Sequence, residues 1–367
     1  MVAVTNSHVV VFNAYSLGTV NTASIGHNSL TSKYSPDQNF IAVGYQGGTS
    51  ILIFTSTLTL YTTITSAFNN VFEVDFSADS TKLMVCGNNG GGVNGFEIYG
   101  VSSTSTTWNI VNSSTGYSKP FVACRFAPDG SFATGSQDGR LRYFLPDYSW
   151  SWSVQPYSIA TSVNTLDFTS NGSILIAGGA SGGGNINVYV YSIPSGTAIN
   201  GYINPNNNQN SDVLAIDFDD DGSVYAFGDK NNDVAFYNGT QLTGNISVFS
   251  ISMAKVVTSV AFSRDGCWFA ATCADAWVYL YSSCPKVPQP SNPKPICPME
   301  QYMTSAPICR KCNADMVGCR MCNNATVCLV CTDQYYLNTA NSLCLPCINA
   351  IKACTACSSN TFCYQCL

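Results

Sequence analysis

At 367 residues the chain is long enough for two or more domains and a sizeable core. Only 10% of residues are charged, against about 25% in an average soluble protein. Net charge is −6 with no basic run, which leaves nucleic-acid binding without an electrostatic footprint, and no stretch of about 18 apolar residues supplies a membrane-spanning helix.

From the N-terminus the chain reads as short strands and tight turns. Met1-Val2-Ala3-Val4-Thr5 has neither the basic n-region nor the apolar h-region of a secretory leader. Six aromatics, Tyr34, Phe76, Phe126, Phe168, Phe218 and Phe262, are spaced by 42, 50, 42, 50 and 44 residues. Each ends a strand-like run ahead of turn chemistry such as Ser35-Pro36-Asp37, Ala127-Pro128-Asp129-Gly130 or Asp220-Asp221-Gly222. Two strand-like runs further on stand Phe54, Tyr99, Phe144, Tyr191, Tyr237 and Tyr281, and Phe12 makes a seventh. A repeat of about 40–45 residues with four strands is the period of a β-propeller.

These residues resemble the WD40 family over residues 1–283. The resemblance implies a seven-bladed β-propeller in an all-β chain. No Trp-Asp dipeptide closes a blade, and only Gly26-His27 opens one with Gly-His. Asp138 and Asp275 stand at the family's acidic turn position, with Asn6, Asn94, Asn185 and Asn231 at or near it elsewhere. The chain begins inside a blade, without a first strand, and leaves the ring after a third strand near Tyr281. Closure is expected to need residues upstream of Met1 or a strand borrowed from another chain, because open edges invite pairing.

Several propeller residues are candidates for chemistry. Asp217, Asp219 and Asp221 fit the first half of a D-x-D-x-D-G calcium loop, although the place of the bidentate glutamate is taken by Gly228; an ordinary solvated turn is the expectation. Asp75, Asp167 and Asp217, with Arg125 at the same place in another unit, each precede a first-strand aromatic. Hydrogen bonding within the blade is the expected role, and an acidic channel ring taking a cation or basic peptide is the alternative. Gly90-Gly91-Gly92 and Gly182-Gly183-Gly184 lack the Lys-Ser/Thr and helix of a phosphate loop and read as hairpin loops. Trp150 and Trp152 beside Tyr148 read as blade packing, and Cys86, Cys124, Cys267 and Cys273 as buried free thiols. There is no nucleophile elbow and no His-rich metal set, so no catalytic residue and no cofactor is assigned. Sequons stand at Asn112, Asn171, Asn238, Asn245 and Asn324.

Residues 284–298 are a proline-rich, extended linker. Of 18 cysteines, 14 fall at or after Cys284. Residues 299–367 hold six C-x-x-C pairs, Cys309/Cys312, Cys319/Cys322, Cys328/Cys331, Cys344/Cys347, Cys354/Cys357 and Cys363/Cys366, in two copies offset by 35. Cys284 and Cys297 mark a degenerate third copy. Such density points to disulfides in an oxidising compartment, with the leader outside this sequence; intracellular zinc knuckles are the alternative. Connectivity is open between a nested pattern (Cys319–Cys331 with Cys322–Cys328, and Cys284–Cys297) and an interleaved one (Cys319–Cys328 with Cys322–Cys331). The tail resembles furin-like and growth-factor-receptor cysteine-rich repeats, and is similar to cysteine-rich surface proteins of protists. That resemblance implies a core-poor rod held by cross-links. The combined expectation is a non-enzymatic extracellular structural protein that assembles from copies of itself into a coat or filament. The alternatives are a receptor or adhesin ectodomain meeting other surface or matrix proteins, and a hydrolase using channel carboxylates.

Overall fold

The computed structural model describes residues 2–4, 7–12, 19–156, 161–180, 187–202, 212–219, 222–239, 249–263, 268–275 and 278–282. In the tail it describes 301–303, 309–311, 319–322, 328–331, 335–338, 343–346, 354–357 and 363–366. The chain divides into two compact units, Met1–Ala14 with Gly18–Val287, and Tyr15–Leu17 with Pro288–Leu367. The described residues are strand, turn and coil, with no helix among them.

The first unit is a series of antiparallel meanders. The opening one has β1 (Val2–Val4), β2 (His8–Phe12) and β3 (Thr19–Ser24). Next come β4 (Asn28–Tyr34), β5 (Phe40–Gln46), β6 (Ser50–Thr55) and β7 (Leu60–Thr65). These are followed by β8 (Asn70–Phe76), β9 (Lys82–Asn88), β10 (Asn94–Gly100) and β11 (Ile110–Ser114). The single pair Gln46↔Asn70 joins these two meanders into one eight-stranded sheet. Three four-stranded sheets follow. They are β12 (Phe121–Phe126) to β15 (Trp150–Val154), through β13 (Phe132–Ser136) and β14 (Leu141–Phe144); β16 (Ser162–Phe168), β17 (Ile174–Ala180), β18 (Val188–Ser192) and β19 (Thr197–Tyr202); and β20 (Val213–Phe218), β21 (Val224–Asp229), β22 (Asp233–Asn238) and β23 (Phe249–Ser252). The last meander has three described strands, β24 (Val257–Phe262), β25 (Trp268–Cys273) and β26 (Val278–Ser282).

The aromatic spacing read from sequence is a cross-strand rung. Phe126↔Phe132↔Phe144, Phe168↔Leu175↔Tyr191, Phe218↔Tyr225↔Tyr237 and Phe262↔Phe269↔Tyr281 stand opposite one another across three strands. Directly opposed residues are the pairs that stabilise a sheet, aromatic pairs most of all. The turn after the first strand repeats as well. A side-chain oxygen of Ser35, Ser77, Thr169, Asp219 or Ser263 accepts the N–H five residues on, from Phe40, Lys82, Ile174, Val224 and Trp268.

The core lies between meanders, face against face. One cluster joins Val9 and Val11 to Ile41 and Val43; others join β5–β7 to β8–β10, β9–β10 to β12–β14, and onward to Val234 and Phe269. Close stacking needs glycine on the second strands. A Cβ on Gly44, Gly135, Gly178 or Gly228 would strike Val71, Val163, Val213 or Val257 on the next meander's first strand. Cys86 of β9 and Cys124 of β12 are bonded across one such seam, with Cα atoms 6.3 Å apart. This corrects the reading of these two as free thiols: they are 38 residues apart in sequence but share one core. Cys273 is free and buried, and Cys267 lies outside the described residues.

In the second unit each 35-residue copy contains two hairpins. The first copy has β27 (Gln301–Met303) with β28 (Cys309–Lys311) and β29 (Cys319–Cys322) with β30 (Cys328–Cys331). The second has β31 (Tyr335–Asn338) with β32 (Leu343–Pro346) and β33 (Cys354–Cys357) with β34 (Cys363–Cys366). Register places Cys319 opposite Cys331 and Cys322 opposite Cys328, and repeats this as Cys354↔Cys366 and Cys357↔Cys363.

Candidate functional site

The first strands of successive meanders lie side by side around a cavity of about 530 Å³. Its wall takes residues from β1, β4, β8, β12, β16, β20 and β24, and its charged members are Lys33, Glu73, Arg125 and Asp217. Asp75 and Asp167 flank them on the same strands.

These charges tie one meander to the next. Phe126 donates its N–H to Asp75 Oδ2 at 2.8 Å, Phe218 to Asp167 Oδ2 at 2.8 Å, and Phe262 to Asp217 Oδ2 at 2.7 Å. Arg125 sits between acids, 3.4 Å from Asp75, 3.2 Å from Asp167 and 4.0 Å from Glu73, and Lys33 stands 3.9 Å from Asp75. The expected bonding within a blade is therefore corrected: each carboxylate reaches the neighbouring first strand, 45 to 51 residues away in sequence.

Burial sets the electrostatics. It raises Glu73, although Arg125 and Lys33 pull the other way, and it raises Asp167 against the same two cations. Asp217 is pushed up to about 7, first by burial and then by the charge of Asp167. Burial works against the charge of Arg125, but Asp75, Asp167 and Glu73 outweigh it and hold the guanidinium above its usual range. The acids around it thus keep the buried guanidinium charged, while the cations only partly offset the burial of the carboxyls.

The calcium candidates separate. Asp217 turns to Phe262 on the next meander, while Asp219 closes its own turn by accepting from Val224 N–H at 3.0 Å and Ser223 Oγ at 2.7 Å. Asp221 lies outside the described residues. Among the described residues, no three His, Cys, Asp or Glu gather to hold a metal ion. Asp138 ion-pairs with Arg142, whose guanidinium also stacks over Tyr117 and Phe121, and this pairing overcomes burial to lower the Asp138 carboxyl. Asp275 accepts from Tyr279 Oη at 2.8 Å.

Trp152 packs as expected, stacked on Tyr143 with its indole N–H donated to Pro194 O. Trp150 packs edge-on against Phe144, with ring centroids 6.1 Å apart, and is still 55% exposed. Gly90-Gly91-Gly92 lies in the loop between β9 and β10, and Gly182-Gly183-Gly184 falls outside the described residues. Asn112 is on β11, Asn171 is exposed in a turn and Asn238 ends β22, while Asn245 and Asn324 lie outside the described residues. Of the cysteines assigned to tail disulfides, Cys284, Cys297, Cys312 and Cys347 lie outside the described residues; Cys309 and Cys344 stand opposite Met303 and Leu337.

The outer rim differs from the channel. None of β3, β7, β11, β15, β19 and β23, the last strand of each meander that has one, contains Asp, Glu, Lys, Arg or Pro. They expose Val20 (63%), Leu60 (53%), Ile110 (50%) and Trp150 (55%). Residue reading singled out Arg125 and the aspartates but missed Lys33, Glu73 and this rim. The rim was visible as a repeated absence of charge in every fourth strand.

These features define a strand-rich protein of WD40-like, β-propeller type. Residues 108–144 and 246–282 match the WD domain, G-beta repeat, so the chain carries WD40 repeats. Each matched stretch takes in an outermost strand and the three strands after it. No curated protein matches the chain. No helix among the described residues is long and apolar enough to cross a membrane.

Proposed function

We propose that the protein is a non-enzymatic, extracellular structural component in which a seven-bladed WD40-like propeller self-associates through its outer strands and carries a disulfide-bonded rod. The observation that carries this reading is the uncharged rim. Sheet edges are ordinarily blunted by Lys, Pro or inward-pointing charge. Among the described residues five of the six outer strands carry a β-bulge near their heads and none carries charge or proline, whereas the channel strands hold Lys33, Glu73, Asp75, Arg125, Asp167 and Asp217. Thr, Ser and Val on an unpaired edge favour pairing with another copy. A glycan on Asn112 would close the β11 edge and leave the others.

Oxidation outside the cell is supported by the Cys86–Cys124 bond. The nested tail connectivity is favoured by register, since residues directly opposed across antiparallel strands have Cα atoms about 4.5–5.5 Å apart, within disulfide reach. The hydrolase alternative would use Glu73 and Asp217, which line one cavity. It is disfavoured because Asp217 is held by Phe262 N–H and Glu73 by Arg125.

Sedimentation velocity of the full chain under non-reducing conditions tests the proposal. Leu60→Lys, Ile110→Lys and Trp150→Lys, all at exposed positions, are expected to shift an oligomer to monomer. A wild-type chain that stays monomeric at high concentration overturns it.

A further inference from the structure

The turn after a first strand is built in one way along the first unit. Asp37, Asp79 and Asp129 each curl a carboxylate oxygen back to accept the N–H two residues on, from Asn39 at 3.1 Å, Thr81 at 3.0 Å and Ser131 at 2.9 Å. Asp147 does the same for Ser149 at 3.0 Å in the turn after β14. The hydroxyls of Thr81, Ser131 and Ser149 donate to the same oxygens. These are Asx-turns, in which a short side chain stands in for a backbone acceptor.

Asn171 takes this place between β16 and β17. Its Oδ1 accepts from Ser173 N–H at 2.9 Å, Ser173 Oγ at 2.7 Å and Thr169 Oγ1 at 2.9 Å. A backbone N–H only donates, so the atom facing Ser173 is the amide oxygen and the nitrogen is turned away. A carboxylate would hold the turn more firmly, since bonds to an ionised acceptor are roughly twice as strong. What asparagine adds is one group, an NH2 on an exposed residue with no hydrogen-bond partner among the described residues.

The other described sequons lack this arrangement. Asn112 lies within β11, paired with Ile98, and a strand sets residues two apart roughly 7 Å from each other. The Ser114 hydroxyl is bonded to Tyr117 Oη instead, at 3.0 Å. Asn238 ends β22, and Thr240 lies outside the described residues.

We propose that Asn171 is the acceptor of an N-linked glycan, an inference that rests on the extracellular reading above and deepens it. Asn171 Nδ2 would bond to the anomeric carbon of an oligosaccharide carried on a lipid pyrophosphate. The bond from that carbon to the pyrophosphate oxygen breaks, its electron pair leaves with the pyrophosphate, and one amide proton passes to a base of the transferase. The acceptor sequence requires a hydroxyl two residues on, and this turn seats that hydroxyl on the amide oxygen with the nitrogen outward. The turn also places the glycan. A Cβ on Gly172 would lie 3.3 Å from Pro128 Cδ, and one on Gly222 3.6 Å from Thr169 Cγ2, so the turns of successive meanders abut at one end of the unit. A glycan there covers that end, while the outer strand β19 stands beyond β18 from β17. Copies are thereby kept from packing end to end on this side, and pairing along the outer edges is left open.

The test is peptide mass mapping of the full chain purified from the cells that make it. Digestion with peptide-N-glycosidase in heavy-oxygen water converts a glycosylated asparagine to labelled aspartate. Label is expected at Asn171, with lower occupancy at Asn112. Asn171→Asp installs the residue that four sister turns already use, so it should lose the label and keep the urea midpoint at or above that of the wild type. Ser173→Ala should also lose the label, and Ser173→Thr should retain it. An unlabelled Asn171 in a chain whose Cys86–Cys124 bond is formed overturns the proposal and leaves the extracellular reading standing. An unlabelled Asn171 with both thiols reduced overturns the extracellular reading and the proposal with it. Label that survives Ser173→Ala, or occupancy at Asn112 equal to that at Asn171, also overturns it.

Discussion

Replacing Arg125 by methionine keeps the length and apolar stem of the side chain and removes its charge. The guanidinium lies 3.2 Å from Asp167, 3.4 Å from Asp75 and 4.0 Å from Glu73, and its side chain is 13% exposed. Removing one partner of a buried ion pair costs about 3–5 kcal/mol, because the other charge stays buried and uncompensated. Lys33 still attends Asp75 at 3.9 Å and the Glu73 side chain is 28% exposed, so the low end, about 3 kcal/mol, is expected at pH 8. The deficit should depend on pH. Glu73 and Asp167 are raised by burial against the pull of Arg125 and rise further without it. A carboxyl raised in the fold contributes stability that is present below its unfolded pKa and is lost as pH rises through the folded one. The Arg125→Met deficit should therefore be largest at pH 8 and smaller at pH 5. Urea unfolding followed by tryptophan fluorescence reads it out, with Arg125→Lys falling between because it keeps the charge and loses the fork. A loss below about 1 kcal/mol at pH 8, or one identical at pH 5, refutes the reasoning.

Asp217→Asn keeps an acceptor for Phe262 N–H and removes a carboxyl held at about 7. A carboxyl lifted that far above its usual range has its ionised form disfavoured by at most about 4 kcal/mol. The substitution should therefore stabilise the protein at pH 8 by roughly 2–4 kcal/mol and leave stability at pH 4 nearly unchanged. Denaturant midpoints at the two pH values check this. The double change Cys86→Ala with Cys124→Ala opens a loop of 38 residues and should cost about 4 kcal/mol on chain entropy. An unchanged urea midpoint would show that the bond does not form in the folded protein. Gly228→Ala drives a methyl into Val257 and should cost about 1–3 kcal/mol in the same assay, while the exposed Gly47→Ala tests only its positive φ of 86°.

The local units could be read from residues alone because their signals are local. Phe126, Pro128, Asp129 and Phe132 fall within seven positions and form one hairpin. The contacts between units could not. Cys86 and Cys124, Arg125 and Asp167, and Gly178 and Val213 meet only because each meander stacks on the next, and period fixes neighbours without saying which side chains cross the seam. Asp75 is instructive: reading its own strand suggested a bond within the unit, whereas the twist of stacked sheets carries its carboxylate to Phe126. In the tail the 35-residue offset was plain in the cysteines, whereas the strand register that sets Cys319 opposite Cys331 was not. The exposure of Ser259 is legible only as a departure, since the equivalent positions of β12 and β20 are buried.

Hydrogen exchange on the full-length chain, compared at dilute and at assembling concentration, probes self-association at the rim most directly. Protection should rise with concentration in β7, β11 and β15, whose edges carry no charge, and stay constant in β4 and β8, which line the channel. Protection that does not change with concentration, or that grows on strands other than the outer ones, would contradict assembly through those edges.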